Sequence, residues 1–176
     1  MNKRLAIVAA CVWLAACSHM SLRSPAASAT LAPTKGNQAA GTVTFVQRGN
    51  VVDVEARITG LSPGLHGFHI HEKGDCRAAD GSSAGGHFNP SGAVHAGPDG
   101  AQRHAGDLGN LTADAGGVAV YRVQVSGIDL NAGSDNIIGR AVIVHANADD
   151  LRTQPSGNSG ARIACGLISK SADQWF

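Results

Sequence analysis

A chain of 176 residues is the size of one domain and is long enough to bury a sizeable core, so two large domains are excluded. Glycine fills 23 positions while aromatic residues make up only 4%, a balance that favours turns and small side chains and points to a β-rich fold. Basic and acidic residues nearly cancel, at 14 against 13, which makes a polyanion such as nucleic acid a poor partner, and a hydrophobic content of 43% excludes wholesale disorder.

At the N-terminus, Asn2-Lys3-Arg4 precede an apolar run from Leu5 to Leu14. That run is too short for the roughly 20 residues that span a bilayer and reads as a signal peptide. Leu14-Ala15-Ala16-Cys17 resembles the lipobox of bacterial lipoproteins, in which cleavage before the cysteine leaves a lipid-modified N-terminus. The expected organisation is a leader over residues 1–16, a lipidated Cys17 with a Ser/Ala/Pro-rich tether over 17–27, and a folded domain over 28–176. Ser18 in place of aspartate favours an anchor in the outer membrane, so the domain is expected in the periplasm or cell envelope, touching the membrane only through its lipid. Of the four cysteines, Cys11 then leaves with the leader and Cys17 is modified, and Cys76 and Cys165 remain for an oxidising compartment to join. Two buried free thiols are the alternative.

Residues 42–47 and 51–59, separated by a turn at Gly49-Asn50, read as a β-hairpin because apolar and β-branched residues recur on either side. Residues 118–125, 139–146 and 161–169 read as further strands. Between them, residues 72–112 and 147–160 are rich in Gly, Asp, Asn and Ser, lack helical periodicity and read as long loops, which in a compact domain usually carry function.

Seven of the eight histidines fall between His66 and His145. His69 and His71 are two apart, and on a strand that spacing puts both imidazoles on one face, though two exposed histidines would look identical. The stretch that follows holds His87, His95, His104 and Asp107, three imidazoles and a carboxylate suited to tetrahedral zinc. His145 ends the apolar run AVIVH. The neighbourhood of His69 and His71 offers imidazoles and no free thiolate, a set that suits copper. Six histidines and one aspartate fall one short of eight ligands for two four-coordinate ions, so one imidazole would have to be shared.

The strings GLHGFHIHEKGDC, SAGGHFNP, RHAGDLGN, IIGRAVIVHANADDL and GNSGARIACGLI, in this order over roughly residues 40–169, resemble the copper/zinc superoxide dismutases. Cys76 directly after Asp75 and the lipobox-like leader resemble the bacterial periplasmic, lipoprotein form. The resemblance implies an all-β, eight-stranded Greek-key barrel, an immunoglobulin-like sandwich with long metal-binding loops. It also implies dismutation of superoxide to dioxygen and hydrogen peroxide, protecting the cell envelope. Copper would be bound by His69, His71, His87 and His145, and zinc by His87, His95, His104 and Asp107, with His87 as the bridging imidazolate. Arg162 would draw the anion to copper, Asp149 would hydrogen-bond His69 and His95, and His66 would sit beneath the copper site without ligating. Ile138 and Gly139 match positions used in a dimer interface, which makes a homodimer possible. The segment between His145 and Arg162 is shorter than in the animal and plant enzymes, and the choice of steering charges among Lys73, Arg77 and Arg103 stays open. A non-enzymatic metal-binding protein on this fold would be marked by a lost ligand or arginine, and none is lost. A dinuclear zinc hydrolase would need Asp and His where Lys73 and Gly74 stand.

Overall fold

Burial alternates along the first three strands and runs unbroken along those that carry the histidines. The computed structural model describes residues 26–171. Its strands are β1 (Ala26–Pro33), β2 (Ala40–Arg48), β3 (Val51–Thr59), β4 (Gly64–His71), β5 (Asp107–Ala113), β6 (Ala119–Val125), β7 (Ala141–His145), β8 (Arg162–Leu167) and β9 (Ser169–Lys170), with one 3-10 turn at Ser82–Ala84. Every strand pair is antiparallel, the order is β2-β3-β6-β5-β4-β7-β8-β1, and a β1–β2 pairing closes the ring. Ala32 faces Cys165 and Ala27 faces Lys170 in one unbroken register along β1, so β9 continues the line of β8 and the barrel has eight walls. The links from β3 to β4 and from β6 to β7 each skip neighbouring strands, which is the Greek-key connection.

The β2–β3 hairpin turns at Gly49-Asn50, where Gly49 takes a φ of 61° that only glycine adopts freely. Val43, Phe45, Val52, Val54 and Ile58 point inward from it, beside Phe68, Ile70, Leu108 and Leu111 from the opposite wall. Two of the few aromatics meet at the core: Phe68 and Tyr121 stack edge to face at 5.5 Å, and the Tyr121 hydroxyl donates to the Leu108 carbonyl.

Two elements differ from the sequence reading. β1 begins at Ala26, inside the stretch assigned to the tether, because its inward residues Ala27, Ala29 and Leu31 are mostly small and alternate with residues as common in linkers. β5 occupies the end of the stretch read as loop. Its alternation is broken by Gly109, whose φ of 83° accompanies a bulge between Gly67 and His69 in the β4–β5 ladder. The leader, Cys17 and most of the tether lie outside the described residues.

Cys76 and Cys165 form a disulfide with Cα atoms 5.8 Å apart, tying the chain just after β4 to β8 across 89 residues. Beneath it, Ala84, Ala141, Ile143 and Cys165 form a small apolar cluster on the outer face of the barrel. Cross-linking a loop of this length lowers the entropy of the unfolded chain by an amount equivalent to about 4–5 kcal/mol. Cys165→Ala should lower the melting temperature of the metal-loaded protein by roughly 10–20 °C, measured by scanning calorimetry; an unchanged melting temperature would show that other contacts hold the loop.

Candidate metal centre

β4 and β7 are neighbours in the sheet, and the histidines lie on their outer faces. On β4, His66, Phe68 and Ile70 share the inner face, while His69 and His71 share the outer one. The outer face is buried as well, because residues 72–106 and 147–160 fold over it. His145 at the end of β7 brings its ring to 4.9 Å from His69 and 5.6 Å from His71. An isolated bridge between His71 and His87 draws the first loop across, placing the His87 ring 4.0 Å from His69 and 5.0 Å from His71. His95 and His104 close on its far side, with ring centroids 5.3 Å from His87 in both cases.

Two bulges set what faces the histidines. The register that pairs Gly67 with Asn110 would put Leu108 opposite His69; the extra residue puts Asp107 there instead. In the same way the register of Val144 with Ala164 would put Ile163 opposite His145, and the bulge brings Arg162 there. Each insertion replaces an apolar neighbour by a charged one.

Accounting for both nitrogens of each ring shows what the cluster can bind. His69 Nε2 donates to Asp149 Oδ2 at 2.8 Å and His95 Nε2 to Asp149 Oδ1 at 2.9 Å. His71 Nδ1 donates to the Gly85 carbonyl at 2.9 Å and His145 Nδ1 to the Gly160 carbonyl at 3.1 Å. A neutral imidazole has one N–H, so the opposite nitrogens carry lone pairs. Of these, His69 Nδ1, His71 Nε2 and His145 Nε2 are buried without a hydrogen-bond partner among the described residues, as is His87 Nε2. Buried polar atoms are rarely left unpaired, and lone pairs converging from four rings form a nitrogen-only cation site.

On the other side of His87, Asp107 Oδ1 lies 2.8 Å from His87 Nδ1, 3.0 Å from His95 Nδ1 and 3.2 Å from His104 Nδ1, and the two nitrogens of His87 and His104 are 3.3 Å apart. A tetrahedral zinc ion with bonds of about 2.0–2.1 Å separates its ligand atoms by roughly 3.3 Å, so these atoms are spaced as zinc ligands should be. Asp107 Oδ2 is occupied by the N–H groups of Ala96 and His104, both at 3.1 Å, which leaves Oδ1 for the cation. The two sets are His69, His71, His87, His145 and His87, His95, His104, Asp107, each with ligand atoms within 4.8 Å of one another, and His87 turns one nitrogen to each.

Burial disfavours the charged form of the rings. It pushes His69 down to about 4 in spite of Asp149, His145 to about 3, and His71 well below the usual histidine range. His95 goes the other way: burial opposes its proton, but the carboxylates of Asp107 and Asp149 outweigh burial and lift it to about 9.

His66 is buried under the cluster, its Nδ1 2.8 Å from the His145 carbonyl and its Nε2 2.8 Å from that of Ser62, and it belongs to neither set. The Arg162 guanidinium donates to the carbonyls of Gly81 at 2.7 Å and Gly85 at 2.6 Å, and Gly85 thereby touches both Arg162 and His71. Arg162 also borders a cavity of about 490 Å³ shared with Lys35, Asp80 and Gly160. Of the charges left open as guides, Arg77 is paired with Asp75 at 2.6 Å and Lys73 lies 4.0 Å from Glu72. Arg103 spends its guanidinium on the carbonyls of Pro98, His104, Ala105 and Ser126. The sequence reading missed Asn110, whose amide brackets the backbone of Asp149, and Gly157, where a Cβ would come within 1.7 Å of Asp149 Oδ1.

Residues 39–168 match the family described as "Copper/zinc superoxide dismutase (SODC)". The chain belongs to the copper/zinc superoxide dismutase family. It is 49% identical over 143 residues, 77% of this chain and 90% of that protein, to "Superoxide dismutase [Cu-Zn] 2" of Mesembryanthemum crystallinum. It is 44% identical over 138 residues, 73% of this chain and 72% of that protein, to "Extracellular superoxide dismutase [Cu-Zn]" of Haemonchus contortus. The protein is therefore a superoxide dismutase, an oxidoreductase that uses copper and zinc and takes superoxide as its substrate.

The charge pattern of this superoxide dismutase gives its two cation sets different pH behaviour. A raised pKa means that His95 holds a proton below about 9 in the metal-free protein and must lose it to a cation. Cation uptake at pH 7 by the set that contains His95 should therefore release a proton from that ring, and the affinity of that set should rise roughly tenfold per pH unit up to about pH 9 and then level off. Indicator-dye titration measures the release; affinity that stops rising already at pH 7 would show that His95 is neutral there.

Proposed function

We propose that His69, His71, His87 and His145 hold copper, that His87, His95, His104 and Asp107 hold zinc, and that Arg162 draws superoxide to the copper face. The observation that carries this reading is His87. Its Nε2 is buried and unpartnered toward three other bare imidazole nitrogens, while its Nδ1 sits at ligand spacing in the His₃Asp set. Bound in these sets, copper supplies one-electron redox chemistry and zinc supplies fixed positive charge.

The chain's own groups supply the rest. Asp149 accepts from His69 and His95 at once and so fixes the tautomer and ring plane of one ligand in each set. His87 Nε2 is the ring nitrogen at which a proton can be held beside the substrate. Arg162 carries five N–H donors and commits two nitrogens to loop carbonyls, which hold the guanidinium still while leaving donors for a small anion. Burial lowers its proton affinity only against a very high starting value, so the positive charge persists.

Arg162→Ile should reduce the second-order rate constant with copper and zinc content intact, and Arg162→Glu should reduce it further; added salt should slow the parent more than the isoleucine variant, because screening acts on an attraction the variant lacks. His87→Ala should weaken both metals together. Pulse radiolysis with metal analysis reads all three. Parent-like rates in fully loaded Arg162→Ile at low salt would remove Arg162 from substrate capture, and parent affinity for either metal in His87→Ala would remove the bridge.

We also infer that the protein is an exported lipoprotein of the bacterial type, anchored through Cys17 with the domain in the periplasm or cell envelope. Support comes from the LAAC sequence after a short apolar run, from Cys76 placed directly after Asp75, and from the disulfide, which suits an oxidising compartment. The relative from Haemonchus contortus is named as extracellular. Intact mass of the membrane-extracted protein should correspond to a chain starting at Cys17 plus acyl groups; an unmodified Cys17 would refute the anchor.

A further inference from the structure

The loop between β7 and β8 carries Asp149 and leads into Arg162, and two side-chain amides fasten it to the metal-bearing elements by one device. Asn110 on β5 accepts from the Asp149 N–H at 2.8 Å and donates to the Asp149 carbonyl at 2.9 Å. Gln154 does the same to His95: the His95 N–H donates to Gln154 Oε1 at 2.8 Å, and Gln154 Nε2 donates to the His95 carbonyl at 2.9 Å and to the Arg152 carbonyl at 3.0 Å. A carboxamide has both an acceptor and donors, so it can satisfy the N–H and the C=O of one residue together, as a neighbouring strand would.

His95 lies in a loop with no ladder to hold it. Gln154 fixes its backbone from one side, and Asp149 Oδ1 fixes Nε2 from the same loop. With both ends held, the remaining nitrogen, Nδ1, is aimed at Asp107 Oδ1, 3.0 Å away. The hold also runs in reverse. Whatever anchors His95 anchors residues 149–154, and with them the approach to Arg162.

We infer that Gln154 is a positioning residue for the zinc ligand His95, clamping its backbone so that its Nδ1 is aimed into the zinc set. The inference deepens the proposed function and rests on its assignment of zinc to the set containing His95. A glutamate at 154 keeps the acceptor for the His95 N–H but turns like charge toward the carbonyls of His95 and Arg152; a leucine keeps the volume and loses every bond.

The test uses the full-length protein, with zinc affinity measured by chelator competition and the site's geometry read from the visible spectrum of cobalt(II) placed there. Gln154→Leu should weaken zinc roughly 10–100-fold, the range seen when outer partners of metal ligands are removed, with copper affinity unchanged and an altered cobalt spectrum. Gln154→Glu should fall between parent and leucine variant, and it carries the comparison if the leucine variant does not fold. The melting temperature of the metal-free protein should move less than that of the zinc-loaded protein. His95→Ala must lose zinc. If it keeps zinc, the assignment of the set fails; if it loses zinc while both Gln154 variants bind zinc with parent affinity and parent spectrum, the clamp is overturned. Equal loss of stability with and without zinc, at unchanged affinity, would also overturn it by showing that Gln154 merely packs the loop.

Discussion

The bifurcated grip of Asp149 on His69 and His95 is the contact on which the centre depends. One carboxylate, buried and 2.8 and 2.9 Å from two ring nitrogens, spans both metal sets. It chooses the tautomer of each ring, and so decides that His69 presents Nδ1 where its strand neighbour His71 presents Nε2. Its own position is overdetermined: Asn110 brackets its backbone, the Leu151 N–H donates to Oδ1 at 2.7 Å, and Gly157, with a φ of 65°, leaves the space that any side chain would fill. Burial pushes against its charge, but hydrogen bonds from His69 and His95 outweigh burial and hold its carboxyl well below the usual carboxylate range.

The barrel contributes rigidity and register. A strand spacing of two delivers His69 and His71 to one face, but it cannot by itself bring a carboxylate opposite one histidine and an arginine opposite another. The bulges in β5 and β8 do that, and each sits beside a strand whose inner face is packed with Phe68, Ile70, Val142 and Val144. Local irregularity is tolerated because the inner face is regular. The disulfide then holds the first loop to β8 three residues past Arg162, so the arginine is fixed by its strand, by the carbonyls of Gly81 and Gly85, and by the covalent tie next to them.

Much of this was legible in the chain. The β2–β3 hairpin could be read from alternation about Gly49-Asn50, and the clustering of His69, His71, His87, His95, His104, Asp107 and His145 from residue types, while their division into two sets came from the family resemblance. The weaker parts are those where chemistry runs through the backbone. The carbonyls of Gly85 and Gly160 orient His71 and His145, and any residue has a carbonyl. β1 has small inward residues and β5 carries a bulge, so neither shows a clean period of two. Gln154 and Asn110 act on the main chain of residues far away in sequence, at separations of 59 and 39, and a polar residue in a polar loop announces nothing until the fold brings the partner alongside.

The same geometry that suits the metals works against the metal-free protein. Four buried ring nitrogens, on His69, His71, His87 and His145, lack a partner among the described residues, and each such group costs about 1–3 kcal/mol when no cation or water satisfies it. A domain of this size has a net stability of only about 5–15 kcal/mol, so penalties of this size are comparable with the whole margin of the metal-free protein. Burial adds to the effect on the acid side. His69 and His145 are held neutral with pKa values of about 4 and about 3, while the unfolded chain takes up their protons near 6.5. A depressed pKa means that the unfolded state binds more protons below about 6.5, so stability is lost as pH falls from there toward the folded values. Metal binding reverses both penalties at once, since a cation satisfies the lone pairs and competes with the protons. Binding energy is in that sense folding energy for this protein.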